Sequence, residues 1–214
     1  MKKAQVDVIS VVLIVLLAIA LVAVAYNWGL PLIQKRQDSI ILERVKNSFS
    51  QININSLPSK IERAANTASQ ETFNLDVDGL WAIYPFDYAG IENNSISFTF
   101  FSKVTDVAPN TGWQSLTPNA QCPPSNGNLL LDKASVVCRR ADNFGNGYNI
   151  TYIVWFRDLV DEQSSSIFKV KLLRHEAGRS TSNIKTIKIF GATPIRTSQA
   201  GQTLIITEVK ILLG

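Results

Sequence analysis

Residues 2–26, KKAQVDVISVVLIVLLAIALVAVAY, decide how the rest of the chain is read. Lys2-Lys3-Ala4-Gln5 leads directly into an apolar run from Val8 to Tyr26, with Ser10 its only polar interruption. A helix of about 19 such residues spans roughly 28 Å, close to the hydrocarbon thickness of a bilayer. Val8, Val12, Val15, Leu16, Leu17, Ile19 and Val22 put aliphatic surface on every side of that helix. A soluble domain has no use for a terminal helix of this kind. The segment must therefore lie in lipid, be removed, or pack among copies of itself. Lys2 and Lys3 hold the N-terminus on the cytoplasmic side, so the remaining chain is expected outside.

Two basic residues, a small residue and Gln, placed before the apolar stretch, resemble the class III (prepilin-type) signal of archaeal type IV pilins and archaellins. The likeness rests on Lys2 to Ser10 and the aliphatic helix after them, about 30 of the 214 residues. It implies that residues 1–4 are a signal, cut by a prepilin-type signal peptidase between Ala4 and Gln5. It further implies that assembly machinery draws the subunit out of the cytoplasmic membrane. The helices beginning at Gln5 would then bundle with copies of themselves as the core of an extracellular filament for adhesion or motility. Ile9 stands where many bacterial-type pilins carry Glu, and archaellins usually lack that Glu too. Asp7 is the acid at this end and could pair with a neighbouring subunit's new N-terminal amine.

The residues leave two other fates open. Ala23-Val24-Ala25 before Tyr26 is an acceptable site for ordinary signal peptidase, which would release a secreted soluble protein. Uncut, the helix would anchor an extracellular β-domain that binds a ligand or another cell surface.

The helical pattern continues past the membrane-length run. Tyr26 and Trp28 suit a bilayer interface, and Pro31 is expected to kink the helix because it cannot donate to the carbonyl four residues back. Ile41, Val45 and Phe49 then fall four apart among Lys35, Arg36, Glu43, Arg44 and Lys46, an amphipathic pattern. The reading is one long helix over 5–50, apolar in its first half and amphipathic in its second. A short helix and connection fill 51–71, where Ser59 and Glu62 have capping-box spacing.

From Thr72 the period changes to two. Ile96, Phe98 and Phe100 alternate with Ser95, Ser97 and Thr99, and Phe168, Val170 and Leu172 alternate with Lys169 and Lys171. Thr203–Leu213 is apolar at many positions on both faces and reads as a central strand. Asp78-Gly79, Asp142 to Gly147, Ala177-Gly178 and Gly201 are turn signals between such runs. The expected fold is α+β: a long N-terminal hydrophobic helix followed by an antiparallel β-sandwich or barrel over 72–214. About 145 residues suffice for one sizeable core there.

Chemistry is sparse. A net charge of +4 with scattered Lys and Arg argues against nucleic acid as a partner. Cys122 and Cys138, the two cysteines, are expected to form a disulfide outside the cell. Asn93-Asn94-Ser95 and Asn149-Ile150-Thr151 are glycosylation sequons. His175 stands alone in a basic stretch and no Cys/His set has metal-ligand spacing, so no catalytic, cofactor or metal site is expected. Asp158, Asp161 and Glu162 read as a solvated turn, and Asp142 to Gly147 as a hairpin turn in preference to a calcium loop.

Overall fold

The computed structural model describes the backbone of residues 2–161, 163–175, 180–182, 184–199 and 202–214, and the side chains at 10–161, 163–175, 184–198 and 202–214. The expected turns at Ala177-Gly178 and Gly201, and the acid Glu162, lie outside these described residues. The chain divides into two units, one ending at Ile40 and one running from Ile41 to Gly214. Helix α1, Lys2–Phe49, is one element and continues through Pro31. Up to Ile40 it is the whole of the first unit.

The second unit begins with the last turns of α1 and continues through α2, Leu57–Thr67. Its first strands are β1 (Gln70–Asn74), β2 (Leu80–Tyr84), β3 (Ser95–Ser102), β4 (Gln114–Ser115), β5 (Gly127–Asn128), β6 (Ser135–Phe144) and β7 (Gly147–Phe156). After them come β8 (Leu159–Asp161), β9 (Ser166–Arg174), β10 (Ser180–Ser182), β11 (Thr186–Gly191), β12 (Ile195–Gln199) and β13 (Gln202–Leu213). They form two sheets, in the orders β1-β11-β13-β9-β8-β5, with β12 also on β13, and β10-β2-β3-β7-β6-β4.

Helix α2 starts earlier than its capping-box spacing suggests. Ser56 is the N-cap, its Oγ accepting from the Ser59 N–H, and Leu57-Pro58 form the first turn. Proline is tolerated there because that turn's N–H has no intrahelical acceptor to lose. Glu62 is thereby freed to accept from the Ser135 N–H at 2.9 Å, which ties α2 to β6. Leu57, Ile61, Ala64 and Ala65 form the buried face, and Ala68 ends the helix with φ 50°. Gly191 lies so close to α2 that a Cβ there would sit 1.8 Å from the Ala64 carbonyl oxygen.

Among the described residues the pairing is mostly antiparallel, with two exceptions. β9 runs parallel to β13, and β5 parallel to β8. β13 is central as its two-faced apolar pattern predicts: β9 lies on one side, and β11 and β12 share the other. An all-antiparallel sheet is corrected in this respect, since local periodicity carries no information on strand direction across a long connection.

One core cluster draws on both sheets and both helices. Leu42, Val45 and Phe49 enter it from the end of α1. The Phe49 ring lies 6.0 Å from Trp81 and 5.2 Å from Tyr152 between centroids. Trp81 in turn packs on Phe98 at 4.5 Å. Ile187, Ile189, Leu172, Val209 and Ile211 complete the core from the other sheet.

A buried asparagine joins the two sheets. Because β8 is short, the β9 edge is left unpaired at Val170 and Leu172. Asn94 closes it: its Nδ2 donates to Val170 O at 2.8 Å and to Phe156 O at 2.7 Å, and its Oδ1 accepts from the Leu172 N–H at 2.9 Å. The Phe86 N–H takes the Leu172 carbonyl at 3.0 Å. Asn94 has φ 55°, a left-handed conformation that Asn tolerates better than most residues. Asn94→Leu strands three backbone groups at once, those of Phe156 and Leu172 buried and that of Val170 partly so, and we expect a loss of about 3–5 kcal/mol. Denaturant unfolding of the full chain in neutral detergent checks this, and a loss under about 1 kcal/mol would show the clip to be dispensable.

A second polar contact fastens the end of α1. Asp106 accepts from Arg139 at 2.5 Å and from Lys46 at 3.4 Å, linking β6 to the helix. Partial burial would raise the Asp106 carboxyl, but Arg139 and Lys46 outweigh it and hold it below the usual range. A depressed folded pKa gives stability that is present above the unfolded value, about 3.9, and lost as pH falls through the folded one. The stability gap between the native chain and Asp106→Asn should therefore be open at pH 7 and narrow steadily below about pH 4. Urea midpoints at several pH values measure it. An equal gap at every pH would mean the carboxylate charge is irrelevant.

Candidate functional site

The site with the strongest claim to a function is the apolar part of α1. From Val11 to Val24 the large aliphatics are each 51–68% exposed. Val12, Val15, Leu16, Leu17, Ile19 and Val22 all belong to this set. Tyr26 and Trp28 follow, also exposed, and then Leu32 and Ile33. Among the described residues, α1 is the helix long and apolar enough to cross a membrane. At about 100° per residue the exposed aliphatics cover the whole circumference, so no face is set aside for water. Lys2, Lys3, Ala4, Gln5 and Val8 have helical backbone, and their side chains lie outside the described residues.

Size decides what such a surface requires. Fully burying one Val, Leu or Ile side chain contributes about 1.5–3 kcal/mol. Eleven large aliphatics stand exposed between Val11 and Val24. Covering them is worth on the order of 20 kcal/mol, more than the net stability of a typical domain. Water is not a tenable surrounding for this helix.

The disulfide has a different job. Cys122 and Cys138 are bonded, with Cα atoms 6.3 Å apart. Cys138 is fully buried on β6, where Val136, Ile153 and Trp155 make a smaller apolar cluster. The long segment 105–133 covers that cluster, bringing Trp113 edge-on to Trp155 at 5.2 Å. Arg140 lies over the Trp113 ring at 4.7 Å. Ser95 and Ser97, the polar residues that alternate with Ile96 and Phe98, are buried as well, opposite Trp155 and Ile153 of β7.

The sequons occupy unlike places. Asn93 is exposed just before β3, next to the buried Asn94. Asn149 is half-buried in β7, paired with Phe101 on β3 and Asp142 on β6. The Thr151 hydroxyl shares a hydrogen bond with Thr99.

The remaining polar candidates resolve into local structure. Asp158 pairs with Lys169 at 2.8 Å, and Asp161 accepts from Gln163 and Ser164 within the turn before β9. Residues 144–147 close the β6–β7 hairpin, with Gly145 at φ 58°. His175 packs against Phe190, the rings tilted by 38° with centroids 5.4 Å apart. Among the described residues, no group of three His, Cys, Asp or Glu could hold a metal ion. The role of Asn94 was missed in the sequence, where it reads only as the middle of a sequon.

No protein-family model, curated protein or solved structure matches the chain.

Reduction of Cys122–Cys138, which closes a loop of 16 residues, should cost about 3 kcal/mol on the chain-entropy model. It should also loosen the cover over Trp155 before the main core yields. Hydrogen exchange with and without reductant tests this. Unchanged exchange at 113–122 and 136–138 would show that the bond contributes nothing there.

Proposed function

We propose that this chain is a structural subunit of a surface filament of the archaeal type IV pilus or archaellum kind, joined to its copies through the apolar part of α1. The observation that carries the reading is the division within that one helix. Leu42, Val45 and Phe49 are built into the core of the second unit, whereas the aliphatics from Val11 to Val24 are exposed on every side. A folded unit that completes its own core without the apolar segment leaves that segment available for others of its kind. The basic, small, Gln order at Lys2 to Gln5 supports processing between Ala4 and Gln5. In this proposal the membrane holds the subunit before assembly and the filament holds it afterwards. Glycans at Asn93 and Asn149 would decorate its outer surface.

Mass spectrometry of the protein from native cell surfaces tests the processing step. A chain beginning at Gln5 is the expected result, and added mass on peptides containing Asn93 or Asn149 would mark the glycans. A chain beginning at Tyr26 would end the proposal in favour of a secreted domain, and an intact Met1 would favour a fixed anchor.

Leu16→Asp or Leu17→Asp tests the assembly step. A carboxylate at the centre of an apolar helix costs about 2.5–3.5 kcal/mol in a membrane, and a filament would repeat that cost at every subunit. Filaments should disappear from electron micrographs while the second unit keeps its disulfide and its thermal transition. Normal filaments from either variant would overturn the proposal.

A further inference from the structure

The second unit holds a groove that the filament proposal does not use. It encloses about 720 Å³ beside the last turn of α1, in the size range of small-ligand sites, about 300–1,000 Å³. Phe49, Ile52, Ile54 and Leu116 supply apolar lining, Lys46, Arg63 and Lys133 supply charge, and among the described residues no Asp or Glu lines it. We propose that this groove binds a single-chain anionic amphiphile, its acid group held by Lys133 and Lys46 and its chain laid over Ile52, Ile54 and Leu116.

The apolar half of the groove is fixed in place. Ile52 is 94% exposed and Ile54 70% exposed, although the segment bearing them is tied down. Gln51 Nε2 donates to Ser135, Lys133 Nζ donates to Gln51 O at 2.8 Å, and Asn53 Nδ2 donates to Asn47 O at 3.2 Å. Two isoleucines held outward on an ordered segment form an apolar surface that no part of this unit covers. Scattered exposed aliphatics need no explanation, but a pair adjoining a cavity does.

The charges select the ligand. Arg63 is already engaged by Glu71 at 2.5 and 2.8 Å. Lys46 shares Asp106 with Arg139. Lys133 makes no ion pair among the described residues, and its ammonium bonds only the neutral Gln51 carbonyl. The adjacent Asp132 is paired with Arg157 at 3.2 Å, and Oε1 of Glu62 on α2 accepts from the Ser135 N–H. A neutral apolar ligand would leave the Lys133 charge unanswered, and a simple polyanion would leave Ile52 and Ile54 in water. The apolar helix of a second copy is a poor occupant too, because residues 10–37 contain no Asp or Glu and do contain Lys35 and Arg36. An amphiphile with one acid group and one chain satisfies both halves.

The proposal is independent of filament formation and is tested on the full chain. The protein is placed in nanodiscs of zwitterionic phospholipid and given a photoreactive diazirine analogue of palmitate. Labelled peptides are then mapped by mass spectrometry. Label is expected on peptides bearing Ile52, Ile54 and Leu116, as well as on the membrane-length helix. Excess palmitate should reduce groove label at least fivefold, and excess palmityl alcohol should not. Lys46→Gln with Lys133→Gln should lower groove label about tenfold. Ile52→Ser with Ile54→Ser, at exposed positions that carry no core packing, should do the same. Label on residues 10–33 should stay constant throughout, which reports an intact, inserted chain. Absence of groove label would overturn the proposal, as would equal competition by the alcohol or indifference to both lysine changes. Protection of the groove that rises with protein density instead of palmitate would assign it to a second copy.

Discussion

Phe49 and Val45 are the point on which the whole arrangement turns. Both are fully buried, and both sit on the last turns of a helix that starts at Lys2. The Phe49 ring is part of an aromatic chain through Trp81 and Tyr152 to Phe98 and Phe100. Removing that ring would open a cavity at the centre of the core, a change that typically costs 3–5 kcal/mol. The last turns of α1, from Ile41 on, are therefore part of the core of the second unit.

The two sheets deal with their exposed edges and faces by different means. β8 covers only three residues of β9, and the backbone groups beyond it would be unpaired at the join between sheets. Asn94 supplies both donors and an acceptor at that place, which an apolar residue could not do. Across the other sheet, segment 105–133 lays Trp113, Ala120 and Cys122 over an outer face that would otherwise expose Ile153 and Trp155. The disulfide fixes that cover. Both devices bury groups that strands alone leave open, and so let mostly short strands make a stable unit.

Much of this was legible in the sequence, and the limits of that reading are physical. The apolar helix, the amphipathic end with Ile41, Val45 and Phe49, the two-faced β13 and the Cys122–Cys138 bond all follow from local pattern or composition. Ser56 was missed as the N-cap because Ser59 and Glu62 have capping-box spacing, whereas Pro58, lacking an N–H, suits the first turn of a helix capped at Ser56. The parallel β9–β13 pair was missed because direction depends on a path that passes through β10 in the other sheet. Asn94 was missed because its three partners lie 62 to 78 residues away. The groove cations were missed for the same reason: Lys46, Arg63 and Lys133 are scattered in sequence and gathered only by the fold.

The apolar helix also has the physical character needed to change surroundings. Its backbone bonds are made within itself, so moving from lipid to a bundle of copies exposes no unpaired amide. Its side chains from Val11 to Ala25 are aliphatic, so neither setting must satisfy a polar group. Lipid and neighbouring helices are then nearly equal in hydrophobic terms, and the choice falls to packing. Ala18, Ala20, Ala23, Ala25 and Gly29 interrupt the larger side chains, and small residues let helices approach closely enough for dispersion to favour association. On the proposed reading, a helix without a preferred face is an advantage. Such a helix would be stable in the membrane as a single subunit, and in a filament it would meet several neighbours at once without needing one defined seam.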